Sequence, residues 1–373
     1  MNFDFNEEQR ALADTVQRFI ARDYSFEKRR AIRDSGAGWS RDVWQALADL
    51  GVLALNIDEE HGGLGYGPQE TGLVMAAFGA GLLLEPYLAG AVIAPALIRR
   101  TASADYQREW LPKIATGEAI VVLAHADARG EAVTENKGKL SGRKAVVAHG
   151  ACADLLLVSA RTAGGGIGLF AVTPGAEGVA LRDYPTLDGQ RAADLVLNNA
   201  PAIKVGAGSL CVPGNPLRGQ VTANAIEAAL DIGLAALCAE AVGIMDATIA
   251  ATTEYLKTRQ QFGQPIGRFQ ALQHRMADML LHLEQARSMS YLAAMHCASE
   301  DRPARQRTLS AAKVTVGQAC RFIAQNAVQL HGGMGMTDEL MLSHWFKRLT
   351  AIEMSFGDTD MHLQRFVRLA RAA

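Results

Sequence analysis

The stretch Tyr255–Met279, which reads YLKTRQQFGQPIGRFQALQHRMADM, constrains the fold of this chain more than any other. Apolar residues at helical spacing run through it, and a tight-turn sequence, FGQP at 262–265, interrupts them once. The pattern predicts a helix ending near Arg259 and a second helix with Pro265 in or near its first turn, where a missing N–H is harmless. Core packing explains the Leu, Met and Ala residues but not the order RQQFG from position 259.

Helix-like and strand-like patterns are segregated along the chain. Before Ala119 and after Pro216 apolar residues recur at helical spacing, whereas short apolar runs alternate with Gly, Asp and Pro clusters between them. The expected fold is therefore α+β, with a helical domain at 1–118, a β-domain at 119–216 and a helical domain at 217–373. In the last domain we expect helices at about 224–258, 269–299, 304–330, 340–353 and 360–373.

Charge and cysteine usage exclude several classes of protein. A net charge of −2 gives no electrostatic reason to expect nucleic acid or an anionic membrane as a partner. The apolar run at 73–98 is broken by Gly, Glu and Pro, and the polar N-terminus is unlike a signal peptide. Five scattered cysteines without a C-x-x-C motif indicate reduced thiols and no metal site. We therefore expect a cytoplasmic protein.

Two separate motifs resemble one enzyme family. The run from Arg259 resembles the R-x-x-F-G-x-P-I-x-x-x-Q-x-x-Q signature of the acyl-CoA dehydrogenases, FAD flavoenzymes that desaturate acyl thioesters. The block QNAVQLHGGMGMT at 325–337 resembles the family's Q-x-x-G-G-x-G-x-T element. The resemblance is strong after Ala223, moderate before Ala119 and poor between. It implies a C-terminal four-helix bundle, a dimer of dimers, FAD, an acyl-CoA substrate and electron transfer to an electron-transferring flavoprotein.

The resemblance also assigns residues to the cofactor. An arginine supplies a permanently charged fork, and glycines let backbone amides approach a phosphate closely. Each motif alone has a plainer explanation: Arg259 is a favourable cation at a helix C-terminus, and the two glycines of the second motif are an ordinary helix stop. The presence of both motifs in the order found in the family favours FAD binding. The implied contacts are Arg259 with the pyrophosphate, Gln261 and Phe262 with the ribityl–adenine region across a subunit interface, Gln329, Gly332 and Gly333 with the adenosine of a neighbouring subunit's FAD, and Thr359 with FAD.

The middle domain departs from the family pattern. Family members place a Thr-Glu-Pro run and a Trp-x-Thr pair against the flavin ring. This chain has AHA at 124–126 and VVA at 146–148 instead. Ala and Val side chains cannot supply the hydroxyl and indole contacts, although backbone N–H groups still can.

The usual catalytic base is replaced. The resemblance implies a carboxylate that removes the α-proton of the thioester while a hydride passes to flavin N5. Gly357 stands where the Y-E-G-T motif has Glu. The alternative base position, on the helix before Arg259, holds Gly233, with Asp231 two residues earlier. Asp358 is the candidate for a displaced base, and its plainer role is to cap the last helix.

Three functions follow from these substitutions. In the first, Asp358 is the base of a complete dehydrogenase that introduces an α,β double bond into an acyl-CoA. In the second, the chain is a base-lacking subunit that scaffolds FAD and acyl-CoA for a catalytic partner. The short length and the DGQRAAD run at 188–194 resemble such a subunit, the pimeloyl-CoA dehydrogenase small subunit. In the third, the chain only binds acyl-CoA or FAD. The expected assembly is a homodimer or homotetramer, or a hetero-oligomer with a second acyl-CoA dehydrogenase subunit.

Overall fold

The computed structural model describes residues 5–206 and 218–372. They form two compact units, one with residues up to 30, 68–83 and from 234 onward, the other with 31–67 and 84–233. Helices come first along the chain, then strands, then helices, which confirms the α+β class. The expected domain boundary near Pro216 lies outside the described residues, and the three-domain division stays a prediction.

Side-chain caps set the beginnings of several N-terminal helices. Asn6 and Gln9 form a capping box at α1, in which the Asn6 side chain accepts from Gln9 N at 2.8 Å. Ser40 and Ser103 cap α3 and α6 in the same region of the chain. The helices are α1 (Glu7–Asp23), α2 (Phe26–Arg33), α3 (Arg41–Asp49), α4 (Pro68–Gly81), α5 (Ala94–Thr101) and α6 (Ala104–Ala115).

Among the described residues, eight strands form one mixed sheet in the middle of the chain. Its order is β6-β7-β3-β2-β4-β5-β8, and β1 pairs in parallel with β4. The three glycines at 164–166 lie in the turn between β4 and β5, with Gly165 at φ +79°. The strands are β1 (Val121–Ala124), β2 (Thr134–Asn136), β3 (Lys139–Ala148), β4 (Leu155–Arg161), β5 (Ile167–Val172), β6 (Val179–Pro185), β7 (Arg191–Pro201) and β8 (Ile203–Val205).

The C-terminal region is helical, as expected. Its helices are α7 (Arg218–Thr258), α8 (Gln270–His296), α9 (Arg302–His331), α10 (Met341–Met354) and α11 (Thr359–Ala372). Pro265, which we expected in or near the first turn of α8, lies shortly before that helix. Pro265 lies in the short strand β10 (Gln264–Pro265), opposite Gln260 of β9 (Gln260–Gln261), because its extended backbone suits a strand end. A 3₁₀ turn, Ile266–Arg268, separates it from α8.

Glycines allow α4 and α7 to pack backbone against backbone. A Cβ on Gly243 would lie 1.9 Å from Ala76 O, and one on Gly79 would lie 2.4 Å from Glu240 O. The segment Val221–Thr258 is long and apolar enough to cross a membrane, but 89% of its most apolar window is buried within the protein, as in a core helix. The four described cysteines are free thiols, and Cys211 lies outside the described residues.

Candidate functional site

The first motif forms an exposed β-hairpin at the end of α7. Phe262 and Gly263 both have positive φ, at 54° and 77°, as a two-residue turn of type I′ requires. The Phe262 side chain is 89% exposed and meets Phe269 edge-on, with 5.9 Å between ring centroids. Arg259 and Gln261 are also exposed. Within the described part of the chain Arg259 has no ion-pair partner, so its cation is available to an anion.

The second motif begins where α9 ends. Gly332 has φ +62°, and a Cβ on Gly332 or Gly333 would meet nothing within 4 Å. Both glycines and Gln329 are exposed, as are Met334 and Met336. The backbone of this segment is therefore open to a ligand.

Tyr255 and His331 bring the two motifs together. Their rings stack with 4.3 Å between centroids and an interplanar angle of 23°. The Tyr255 hydroxyl also donates to His331 O at 3.3 Å. His331 Nδ1–H donates to Ala327 O at 2.9 Å, and burial lowers the pKa of His331, which keeps the ring neutral. Nothing at the sequence level singled out the contact between Tyr255 and His331.

Loss of the stack is expected to loosen both motifs at once. Tyr255→Leu removes the ring contact and the hydrogen bond, and amide exchange at 259–263 and 329–335 should become about tenfold faster. Tyr255→Phe keeps the ring and should have a smaller effect at both segments. Hydrogen–deuterium exchange by mass spectrometry measures both. Faster exchange in one segment alone would contradict the coupling.

Neither standard base position carries a carboxylate in the structure. Gly357 has φ +101°, and a Cβ there would overlap Cε of Met361. Asp358 caps α11 because its Oδ1 accepts from Met361 N at 2.8 Å. Gly233 is buried in α7, and the Asp231 side chain is 3% exposed. The capping role for Asp358 is thus present, and its role as a base stays a prediction.

Two buried side chains, a lysine and a histidine, donate hydrogen bonds to the linker between α10 and α11. Lys313, which is fully buried, donates from Nζ to Glu353 O at 2.7 Å and to Gly357 O at 3.0 Å. His362 Nε2–H donates to Phe356 O at 3.0 Å. The linker that carries the family's base position is therefore fixed by side chains of α9 and α11.

A cavity of about 630 Å³ opens beside this linker. Its walls include an Arg321–Glu353 ion pair and a stacked His282–Phe322 pair with 4.1 Å between centroids. Thr359 lies in the wall, and its Oγ1 is buried without a hydrogen-bond partner among the described residues. The lining residues are His282, Gln318, Arg321, Phe322, Gln325, Glu353, Met354, Asp358, Thr359 and Asp360.

A second cavity, of about 690 Å³, lies among α1, α4, α7 and α8 and shares no lining residue with the first. Alanines and glycines form much of its wall, so the Ala- and Gly-rich character of α7 does leave empty space. Arg287 in this wall is paired with Asp246 at 2.8 Å.

The residues assigned to FAD fit that group. An exposed arginine without an ion-pair partner in the described ranges suits a pyrophosphate, and two open glycines suit a closely approaching ligand. The orphaned Thr359 hydroxyl lacks a partner that a bound molecule would supply. Separately, in the sheet, Val146 (64% exposed) and Ala148 are exposed apolar residues. Among the described residues no group of His, Cys, Asp and Glu could hold a metal ion.

Comparison with known families gives two matches to this chain. The model of the acyl-CoA dehydrogenase N-terminal domain matches residues 6–118. The model of the acyl-CoA dehydrogenase C-terminal domain matches residues 223–370. The second match contains all seven residues that the sequence assigned to FAD.

Individual relatives match over almost the whole chain. The acyl-CoA dehydrogenase FadE27 of Mycobacterium tuberculosis is 27% identical over 382 residues, covering 99% of this chain and 98% of its own. A structure of the ChsE4-ChsE5 complex from the same organism aligns with a TM-score of 0.88 at 25% identity, over 100% of both chains. A variant of the Tcur3481-Tcur3483 steroid ACAD aligns with a TM-score of 0.86 at 26% identity, over 98% of both chains. The narrower likeness to the pimeloyl-CoA dehydrogenase small subunit stays a prediction.

Proposed function

Because the chain belongs to the acyl-CoA dehydrogenase family, whose members are FAD-dependent oxidoreductases, we propose that it works as the base-lacking subunit of a two-subunit acyl-CoA dehydrogenase. In this role it contributes FAD and acyl-CoA contacts, and a second acyl-CoA dehydrogenase subunit contributes the carboxylate. FAD supplies the acceptor for the β-hydride, which is chemistry that no protein side chain provides.

The observation that carries the proposal is the chemistry of the two base positions. Gly357 and Gly233 have no side chain that can accept a proton. Asp358, the carboxylate next to the first position in the sequence, accepts the backbone N–H of Met361 with its Oδ1. A general base needs a lone pair directed at the substrate proton, and Oδ1 is directed at its own helix, which leaves Oδ2 as the one oxygen of Asp358 for that role.

Likeness to solved assemblies supports a hetero-oligomer. Two structures that align over nearly all of this chain are described as ChsE4-ChsE5 and Tcur3481-Tcur3483, each naming two different chains. Exposed apolar side chains on the two motifs, above all Phe262 and Met336, are of the kind that a partner subunit covers. The steroid description of one of these proteins favours a bulky acyl substrate here.

The residues of this chain would then bind and orient. Arg259 and the open backbone at Gly332 and Gly333 hold the FAD pyrophosphate and adenosine, and Gln261, Phe262 and Gln329 complete that contact at the subunit interface. The Thr359 hydroxyl donates to FAD. An electron-transferring flavoprotein is the proposed electron acceptor of the assembled enzyme.

The first test is a visible spectrum of the chain purified alone, then of the chain with FAD and a panel of acyl-CoA thioesters without oxygen. We expect no bleaching of the flavin band with any thioester, because no base is available to remove the α-proton. Co-expression with its partner subunit should restore bleaching. Bleaching by the isolated chain would overturn the proposal.

A second candidate function keeps Asp358 as the base of a self-sufficient enzyme, and its position in the wall of the 630 Å³ cavity favours it. Asp358→Asn discriminates between the two. Asn is also a good helix cap, so the fold should be unaffected. We expect turnover of the assembled enzyme within about twofold of wild type, whereas loss of a true base costs about 10²–10⁴-fold. Asp360→Asn, at an exposed neighbouring carboxylate, is the matched control.

A further inference from the structure

A buried lysine organises a polar cluster in the sheet. Lys144 on β3 is 2% exposed in its side chain, and its Nζ donates to three oxygens, His125 O at 2.8 Å, Asp127 Oδ1 at 2.6 Å and Ser159 Oγ at 3.1 Å. An ammonium group has three N–H donors and no acceptor. All three donors are therefore used, and Ser159 Oγ is an acceptor in this cluster.

The position of the Ser159 hydrogen follows from that assignment. Two atoms can receive it, His125 Nδ1 at 2.9 Å and His125 O at 3.4 Å. The carbonyl oxygen is the more distant of the two, so we assign the hydroxyl hydrogen to the contact with Nδ1. A neutral imidazole whose Nδ1 accepts a hydrogen bond carries its proton on Nε2. The chain Lys144–Ser159–His125 thus selects one tautomer.

The same surroundings keep the imidazole neutral. Partial burial of the ring, and secondly the charge on Lys144, lower the pKa of His125, while Asp127 opposes them. Ser159 on β4 is uncharged, and Arg161 on the same strand acts on Asp127 and Lys144. His125 as a residue nevertheless remains exposed. The net result is a neutral ring with a fixed N–H at the protein surface.

The location of this N–H indicates its ligand. His125 directly follows β1, in the AHA run at 124–126 that the family resemblance places against the flavin ring. The side chains beside it in that run are alanines, and Val146 and Ala148 on β3 are likewise apolar, so the histidine is the polar side chain of the two segments. The flavin ring carries carbonyl oxygens and ring nitrogens at its edge, which accept hydrogen bonds.

We propose that Lys144 and Ser159 hold His125 as a neutral imidazole whose Nε2–H donates to a hydrogen-bond acceptor on the edge of the flavin ring. The alanines and valines of these segments cannot supply the hydroxyl and indole donors that other family members direct at the flavin ring. In this chain the Nε2–H of His125 takes over that role. The inference rests on the proposed binding of FAD by this chain. A cluster that served only to fix the β1–β2 connection would not require an accessible Nε2–H.

The relay is tested without cofactor by ¹⁵N NMR of the full chain labelled in its histidines, with His125→Gln to assign the signal. We expect His125 to have Nε2 protonated and Nδ1 unprotonated at neutral pH. Ser159→Ala should convert it to a mixture of tautomers. Ser141→Ala, the same change on β3 at a hydroxyl that contacts Asn199, should leave it unchanged. A protonated Nδ1 in wild type, or an unchanged tautomer in Ser159→Ala, would overturn the relay.

The ligand is tested by titrating FAD into the full chain and following flavin fluorescence. His125→Leu should raise the FAD dissociation constant about tenfold, as expected for one lost hydrogen bond to a ring acceptor. His125→Gln, which offers an amide N–H, should recover most of the affinity. Equal affinity of His125→Leu and wild type would overturn the assignment to flavin. Failure of wild type itself to bind FAD would instead contradict the proposed function. The NMR experiment contains no FAD and therefore tests the tautomer of His125 independently of that result.

Discussion

Replacing Lys313 with methionine is expected to lower the free energy of unfolding by about 3 kcal/mol, because it leaves two buried carbonyl groups without a donor. The Lys313 ammonium donates to Glu353 O and Gly357 O from a fully buried position on α9. Methionine has a similar length and is apolar, so it fills the space without supplying the hydrogen bonds. The substitution also removes a buried charge, and the measured cost is therefore the balance of these two effects.

Urea denaturation followed by circular dichroism measures the loss, and hydrogen–deuterium exchange at residues 353–358 locates it. Arg307→Met on the same helix is the matched control, since Arg307 is exposed and its replacement should change stability by less than about 0.5 kcal/mol. Wild-type stability and wild-type exchange in Lys313→Met would show that the two carbonyls do not depend on this side chain.

The burial of Lys313 could have been predicted from the sequence, although the motifs did not indicate it. Lys313 lies four residues after Leu309 and three before Val316, so it occupies the apolar face of α9, and all three side chains are fully buried. A lysine at such a position needs a polar partner. The partners, however, are backbone carbonyls of a linker about forty residues later, and only the folded chain brings them within reach.

The sequence pattern did not indicate those strands that lack a continuous run of apolar residues. The short apolar runs of the expected β-domain lie at 120–123, 155–158 and 168–172. They correspond to β1, β4 and β5, which are buried over most of their length. The two longest strands, β3 and β7, were not identified, because each alternates buried and accessible residues and includes polar side chains. Helices were placed more accurately, since their periodic faces extend over many turns.

The residues of the candidate site could be predicted from the sequence, but the contacts between them could not. Resemblance to the family assigned seven residues to FAD, six of them in the two motifs, and the structure shows those two motifs side by side. The contact that joins them, Tyr255 on His331, has no sequence signature because the residues are 76 positions apart. Likewise Lys144, Ser159 and His125 come from three strand segments, and only the register of β1, β3 and β4 brings them together.

Acid is expected to destabilise the protein through His362, which holds the same linker from α11. The side chain is 1% exposed, Nε2–H donates to Phe356 O, and Nδ1 is buried without a partner among the described residues. Burial lowers the pKa of His362 from 6.5 to about 4, and the charges of Arg365 and Lys313 act in the same direction, whereas the hydrogen bond to Phe356 O and the charge of Asp358 oppose this shift. The folded protein therefore keeps this ring neutral at pH values where the unfolded chain protonates it.

The direction of the pH effect follows from the two pKa values. The contribution of His362 is fully present above pH 6.5 and is lost as the pH falls towards 4, because the unfolded state binds the proton first. A difference of this size corresponds to about 3 kcal/mol at the acid end of that window. His362→Gln keeps an N–H donor for Phe356 O and does not titrate, so its urea midpoint should fall less between pH 7 and pH 4.5 than that of wild type. Exposed His274→Gln should follow the wild-type profile. Parallel profiles for wild type and His362→Gln would contradict the prediction, because they would mean that the folded protein accommodates a protonated His362. Lys313 would then be the side chain that holds the linker in place.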